Sequence, residues 1–187
     1  RSSDLAMYID TGLWFTDDTQ LECVMSEGSD LSSLSTGGGG AVTGSTINGY
    51  GQYWRFIGYS KSVNGNFYWD GNVLCDGSFI TCTMDSARKV YRDGSYVFDA
   101  CVEGYHNVEN KYTRMYIFAQ LTGNTINPRL YKVKSFKIIR GGEIIVDAYA
   151  VRFTNENGDT EGAMYDIISG MFFRNQGTGA FLIGPDL

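Results

Sequence analysis

The stretch Phe136–Asp147, Phe-Lys-Ile-Ile-Arg-Gly-Gly-Glu-Ile-Ile-Val-Asp, decides the fold of this chain. Two segments rich in β-branched residues, Phe136–Arg140 and Glu143–Asp147, flank the pair Gly141-Gly142. Glycine adopts positive φ without a steric penalty, and a two-residue hairpin turn needs that conformation. The stretch therefore predicts two antiparallel strands joined by a tight turn.

Two further turns of the same kind lie on either side of this stretch. Asp93-Gly94 separates Lys89–Tyr91 from Tyr96–Ala100. Asn157-Gly158 lies in a polar tip, residues 155–162, which separates Val151–Thr154 from Ala163–Tyr165. Such pairs between β-prone runs are typical of hairpins.

Alternating apolar and polar residues extend the strand pattern over most of the chain. In Thr19–Met25, the residues Leu21, Cys23 and Met25 fall on one face of a strand. Similar β-prone segments are Tyr53–Ser60, Phe67–Trp69, Ser78–Met84, Arg114–Gln120, Arg129–Ile139 and Glu143–Phe153. A helical apolar stripe is not found. Many short strands separated by turns predict an all-β protein, an antiparallel β-sandwich of two sheets.

The length of 187 residues suits one domain, residues 1–187. Residues 26–52 are rich in Gly, Ser and Thr, and we predict a long loop within that domain rather than a linker. A linker would leave residues 1–25 as a separate unit too small to bury a core. Because the chain starts at Arg1, we interpret it as a domain or product of a longer polypeptide.

Charge and residue counts exclude several classes of protein. The net charge of −6 argues against nucleic-acid binding, which needs a surplus of Lys and Arg. The sequence has no run of 18 apolar residues, so we predict no membrane insertion. A single histidine, His106, makes a His-rich metal site impossible and leaves one imidazole for any catalytic pair. No nucleotide-binding or nucleophile-elbow motif occurs.

Four cysteines leave two alternatives open. Cys75 and Cys82 are close enough in sequence for a disulfide across a hairpin. We favour buried thiols instead, since Cys23 and Cys101 lie in apolar-alternating stretches where a thiol packs as a small hydrophobe. The sequence has no Cys-x-x-Cys pair, so nothing in the cysteine spacing indicates a zinc site.

The order of the predicted strands resembles concanavalin A-like, or laminin G-like, jelly-roll domains of phage structural proteins and bacterial surface proteins. The resemblance covers residues 8–179 and is strongest in the C-terminal third. The segments that carry it are Tyr8–Gly12, Val90–Gly94, Tyr116–Ala119, Leu130–Ile139, Glu143–Arg152, Gly162–Asp166 and Met171–Gly179. It implies two antiparallel sheets packed face to face, and an extracellular or virion-surface location.

Glycosidases share this architecture, so catalytic carboxylates have to be considered. A retaining glycosidase needs two carboxyl groups about 5–5.5 Å apart. The nearest candidates, Glu156, Asp159 and Glu161, lie in a predicted hairpin tip and are interpreted as solvated turn residues. His106 with Glu103 and Glu109 is interpreted as a polar loop cluster. We therefore expect no enzyme activity.

A cofactor is not predicted either. Calcium at a loop edge is the alternative, with oxygen ligands from Asp17, Asp18, Asp70 and Asp76. Adjacent aspartates are more often turn formers, and the spacing of an EF-hand is missing.

Aromatic residues make up 14% of the chain and are the best functional clue. Sugars stack their C–H faces on flat side chains, while a few polar groups bind the hydroxyls. Many aromatic residues of a sandwich fill its core, so those in Gly-rich segments are the candidates for exposure: Trp14, Tyr50, Trp69 and Tyr105. We predict a non-catalytic module that binds a glycan or another cell-surface polymer. The alternative is a structural or decoration module that contacts other subunits of a fibre, tail or adhesin.

Overall fold

A computed structural model describes residues 8–14, 16, 18–27, 44–47, 52–55, 60–63, 66–69, 72–75, 79–87, 89–99, 114–117, 119–122, 125–128, 131–178 and 181, some of them by their backbone alone. In these ranges the chain forms strands and turns and no helix, which confirms the predicted all-β class. The strands are β1 Ile9–Trp14, β2 Gln20–Glu27, β3 Gly44–Ile47, β4 Gln52–Arg55, β5 Ser60–Val63, β6 Asn66–Trp69, β7 Asn72–Cys75, β8 Ile80–Met84, β9 Lys89–Arg92, β10 Ser95–Asp99, β11 Arg114–Ile117, β12 Ala119–Thr122, β13 Thr125–Pro128, β14 Tyr131–Arg140, β15 Glu143–Thr154, β16 Thr160–Asp166 and β17 Phe172–Phe173.

The main layer is an eight-stranded sheet with the order β10-β9-β8-β2-β14-β15-β16-β17. Every neighbouring pair in it is antiparallel. Strand β2 lies between β8 and β14, so residues distant in sequence meet at the centre of the sheet. Strand β17, with 2 residues, ends the sheet on one side.

The three predicted hairpins are confirmed. Asp93 and Gly94 have φ of 47° and 80°, and they connect β9 to β10. Gly141 and Gly142 have φ of 55° and 81° and connect β14 to β15. Gly158, with φ of 87°, lies in the tip between β15 and β16. Strand β16 starts at Thr160, earlier than predicted, because Thr154 pairs with Thr160.

The hydrophobic core lies between the eight-stranded sheet and a second layer. Alternate residues of β2 point into it, as predicted: Leu21, Cys23 and Met25 are buried. Phe136 and Ile138 of β14 belong to the same cluster. The second layer is the antiparallel ladder of β1 and β11, which contributes Ile9, Met115 and Ile117. Two antiparallel layers thus enclose one core, in the manner of a sandwich.

Two smaller sheets have the orders β13-β12-β3-β4 and β5-β6-β7. Strand β3 lies inside the stretch 26–52, which we predicted to be a loop, and β2 and β4 reach its two ends at Glu27 and Gln52. The β-branched residues Thr46 and Ile47 favour this short strand despite the surrounding glycines. Strands β3 and β12 pair in parallel, unlike the antiparallel pattern predicted. They are far apart in the chain, so no hairpin imposes their relative direction.

The cysteines are partly as predicted. Cys23 is a buried thiol in the core. Cys82 is also a buried thiol, so the alternative of a Cys75–Cys82 disulfide is not formed. Cys101 lies outside the described residues.

Candidate functional site

The eight-stranded sheet carries aromatic residues on the face opposite the core. Val146 and Ala148 of β15 point into the core, so the alternation of a strand turns Tyr149 and Phe153 to the other side. In the register of the sheet, Tyr149 lies opposite Tyr165, and Tyr165 lies opposite Phe172. We call the four residues Tyr149, Phe153, Tyr165 and Phe172 the aromatic patch.

Within the aromatic patch, the ring of Phe172 contacts those of Tyr165 and Phe153, so that three strands contribute to the contact. The ring centroids of Tyr165 and Phe172 are 5.0 Å apart, and those of Phe153 and Phe172 are also 5.0 Å apart. The planes of the second pair are inclined by only 31°. Offset, tilted contacts at this distance are favourable for aromatic rings. The rings therefore support each other as a surface instead of moving independently.

The small side chain of Ala163 lies on the same face of the sheet as the rings. Ala163 follows the same alternation as Tyr165 and lies opposite Val151. It is buried, although it is not a member of the core cluster. Since neighbouring strands are about 4.7–4.9 Å apart, the row from β15 to β17 is about 10 Å wide. That is wide enough for more than one sugar ring.

The patch remains accessible to solvent. Tyr149 is 43% exposed and Phe172 is 41% exposed. The Cζ atom of Arg174 lies 4.6 Å from the ring centroid of Phe153, a distance that suits a cation–π contact. Arg174 is itself exposed and adds a hydrogen-bond donor at the edge of the rings.

A charged row borders the aromatic patch. Lys137 of β14 lies opposite both Glu22 of β2 and Asp147 of β15. Its Nζ donates a hydrogen bond of 3.1 Å to Glu22 Oε1. This hydrogen bond raises the pKa of Lys137, and the negative charge of Asp147 adds to the effect. Among the described residues, Asp147 Oδ1 is a buried carboxylate oxygen without a hydrogen-bond partner, and its enclosure keeps it from direct contact with a ligand.

A hydrogen-bonded turn at residues 166–170 joins β16, which carries Tyr165, to β17, which carries Phe172. One oxygen of the buried Asp166 accepts hydrogen bonds from the backbone N–H of Asp147 and Ile168, at 2.8 and 3.2 Å. The other accepts from the backbone N–H and the hydroxyl of Ser169, at 3.2 and 2.6 Å. Burial alone would raise the pKa of Asp166, but these hydrogen bonds outweigh it and hold the pKa below its ordinary value. The Asp166 carboxylate therefore fixes the start of β17 relative to β16.

The structure describes the predicted binding residues only in part. Trp14 is the last residue of β1 rather than a loop residue beyond it, and it pairs with Arg114. Trp69 lies in β6 and pairs with Asn72. The side chains of Trp14 and Trp69 lie outside the described residues, as do Tyr50 and Tyr105 entirely. Their proposed role in binding stays a prediction.

Of the carboxylates considered for catalysis, Glu156 and Asp159 lie in the β15–β16 tip, whereas Glu161 lies in β16. The side-chain oxygen of Asn155 accepts the backbone N–H of Asn157 and of Asp159, each at 2.9 Å. The side-chain amide of Asn155 donates to Glu161. Asn155 thus connects the tip to Asp159 and to Glu161 at the start of β16, so Glu161 is a strand residue and not the turn residue that we predicted. His106, Glu103 and Glu109 lie outside the described residues.

Of the aspartates considered as calcium ligands, Asp18 is described, and its side chain accepts hydrogen bonds within the protein. Asp18 accepts the hydroxyl of Thr16 at 2.7 Å and the backbone N–H of Gly141 at 2.9 Å. The hydrogen bond from Thr16 is the main reason that the pKa of Asp18 is lowered. Asp18 therefore ties the β1–β2 connection to the β14–β15 turn. Asp17, Asp70 and Asp76 lie outside the described residues, within which no group of three or more His, Cys, Asp and Glu is placed to hold a metal ion.

We did not predict the aromatic patch, because we sought exposed rings in Gly-rich segments, whereas Tyr149, Phe153 and Tyr165 lie in long alternating strands. The signal was present in the alternation itself. Val146 and Ala148 fill the core side of β15, which leaves the odd-numbered positions for the opposite face.

Comparison of the chain with protein-family models, with curated proteins and with solved structures found no match. In the described part of the chain no helix has the length and apolar character needed to cross a membrane.

Proposed function

We propose that this protein is a non-catalytic recognition module that binds a carbohydrate or a similar cell-surface polymer through the aromatic patch. The observation that carries the proposal is the continuous contact of the Tyr165, Phe172 and Phe153 rings on a solvent-accessible sheet face. Large rings exposed together are unusual on a surface that binds nothing. Their flat faces suit the C–H faces of sugar rings.

Polar groups beside the rings fit the same kind of ligand. Arg174 lies at the edge of the patch, and the hydroxyl groups of Tyr149 and Tyr165 belong to the patch itself. These groups donate and accept hydrogen bonds, which the hydroxyl groups of a sugar require. An open, wide row of rings suits a segment within a long polymer better than a single small molecule in a deep cavity.

A concanavalin A-like jelly roll is the fold that we propose for the module. Its support is the segment pattern of the sequence together with an eight-stranded antiparallel sheet that shares a core with a second layer. The extracellular or virion-surface location, in a phage fibre, tail or adhesin, is part of the same proposal. It rests on the resemblance alone.

The proposal is tested by binding of the purified protein to insoluble cellulose, chitin and peptidoglycan and to a glycan array. We expect retention on at least one of these surfaces above that of serum albumin, and competition by the free polymer. Retention equal to that of albumin on every surface would overturn the proposal. Release of labelled sugar from a bound polymer would show instead that the module is an enzyme.

A second candidate, a structural module that contacts other subunits, is favoured by the turn after β16. Ile167 and Ile168 are each 54% exposed and Met171 is 62% exposed. The hydrogen bonds of Asp166 hold this turn in place, so the three apolar side chains are presented in fixed positions. This candidate predicts self-association that Ile168→Glu abolishes, as measured by light scattering. A monomer at all concentrations would count against assembly of this chain with itself.

A further inference from the structure

Two thiols lie opposite each other at the centre of the eight-stranded sheet. Cys23 of β2 and Cys82 of β8 are register partners in an antiparallel pair. Both side chains point into the core and are buried. The flanking pairs Leu21–Met84 and Met25–Ile80 face the same side. Strand pairing alone therefore brings the two sulfur atoms to the same place.

This placement is within the reach of a disulfide. Directly opposite residues of an antiparallel pair have Cα atoms about 4.5–5.5 Å apart, and disulfides span about 4.4–6.8 Å between Cα atoms. Their Cβ atoms are about 4.5–5.5 Å apart, compared with a mean of about 3.8 Å in disulfides. A movement of about 1 Å would close the bond without a change in register.

We propose that Cys23 and Cys82 are a disulfide site, closed as a cross-strand bond when the chain folds in an oxidising compartment. The oxidant is a small-molecule disulfide such as glutathione disulfide. One cysteine thiolate displaces a glutathione thiolate and forms a mixed disulfide. The second cysteine thiolate then attacks the protein sulfur of that disulfide and releases the second glutathione. Two thiols of the protein are oxidised, one small disulfide is reduced to two thiols, and the protons move to the released thiolates.

The bond forms before the core is complete. In the folded protein the pKa of the Cys23 thiol is raised well above its usual value, mainly by burial and also by Cys82 nearby. Thiolate, the reactive form, is therefore scarce once the core closes. The reduced, folded protein thus reacts slowly, whereas a partly folded chain with β2 and β8 paired reacts readily. The inference does not depend on ligand binding by the aromatic patch.

The test is refolding of the full chain with Cys75→Ser in a buffer of reduced and oxidised glutathione, followed by alkylation in denaturant and tryptic mapping. In this variant Cys23 and Cys82 are the single cysteines of the peptides 2–55 and 62–88. We expect these two peptides to be joined and not alkylated. The oxidised protein should melt on the order of 5–10 °C higher than protein refolded with a strong reductant.

A matched control moves one thiol to the other face of β8. Thr81→Cys combined with Cys82→Ser, in the same Cys75→Ser chain, turns the thiol away from the core, since neighbouring strand residues point to opposite faces. We expect no link to Cys23 in that variant. Alkylation of both Cys23 and Cys82 after refolding would overturn the proposal. So would a link of equal yield in the control, or a link from Cys23 to the peptide that contains Cys101.

Discussion

Tyr165 and Phe172 lie directly opposite each other on β16 and β17, with ring centroids 5.0 Å apart and planes inclined by 49°. Strand β17 has only 2 residues, and it places Phe172 at the edge of the eight-stranded sheet. The position of this ring follows from backbone pairing and from the turn held by Asp166. The aromatic patch is therefore part of the sheet, and its geometry is set before any ligand arrives.

The edge strand is also joined to the second layer. The side chain of Asn175 accepts the backbone N–H of Tyr8 at 3.0 Å, and the backbone N–H of Gln176 donates to the carbonyl of Tyr8 at 2.8 Å. Chain segments far apart in sequence thus meet just after β17. This contact limits the movement of the patch relative to the core.

The β14–β15 turn offers a clean test of the fold. Gly142 has φ of 81°, and nothing lies within 4 Å of a Cβ added there. We predict that Gly142→Ala lowers the free energy of unfolding by about 1 kcal/mol, because the backbone conformation is strained for alanine. Urea unfolding measures this change. Gly142→Asn is the matched control and should lose less, since asparagine tolerates positive φ.

The Asp166 carboxylate should contribute strongly to stability. We predict that Asp166→Asn lowers the free energy of unfolding by about 2 kcal/mol at neutral pH. The NH2 group of asparagine takes the place of one carboxylate oxygen, so it faces hydrogen-bond donors and cannot accept from them. Chemical denaturation monitored by tryptophan fluorescence measures the loss. Glu156→Gln, at an exposed position in the preceding turn, should change stability little. Equal losses in both variants would contradict the role given to Asp166.

The same carboxylate predicts a dependence of stability on pH. The pKa of Asp166 is lower in the folded protein than the value of about 3.9 in an unfolded chain. Its contribution is therefore present above about pH 4 and is lost as the pH falls through the folded pKa. The difference in unfolding free energy between the natural protein and Asp166→Asn should shrink from pH 7 to pH 3. A constant difference over this range would contradict the assignment.

The sequence predicts the hairpins and the all-β class well because their causes are local. The pairs Asp93-Gly94 and Gly141-Gly142 have the positive φ that their residue types favour. The alternation of Leu21, Cys23 and Met25 also matches their burial. Turn chemistry and strand period are properties of neighbouring residues, so they are readable without the fold.

The partners of each strand are not readable in this way. Cys23 meets Cys82 and Tyr165 meets Phe172 through a sheet order that local patterns do not specify. Strand β3 was missed for a different reason: it pairs with the nearby β4 as well as with the distant β12, but Gly44–Ile47 has no alternating apolar pattern. The aromatic patch depends on which face of β15 packs on the second layer, and that choice is a property of the whole molecule.

We propose that the aromatic patch binds a surface polymer. The most direct measurement is a binding isotherm for the polysaccharide that retains the natural protein, repeated with Tyr165→Ala, Phe172→Ala and the control Tyr96→Ala. Tyr96 is 56% exposed and lies on β10, at the opposite edge of the same sheet. We predict that each patch variant weakens binding about 10-fold or more, while Tyr96→Ala leaves it unchanged. Equal affinity of the two patch variants and the natural protein, with all of them folded, would contradict the claim.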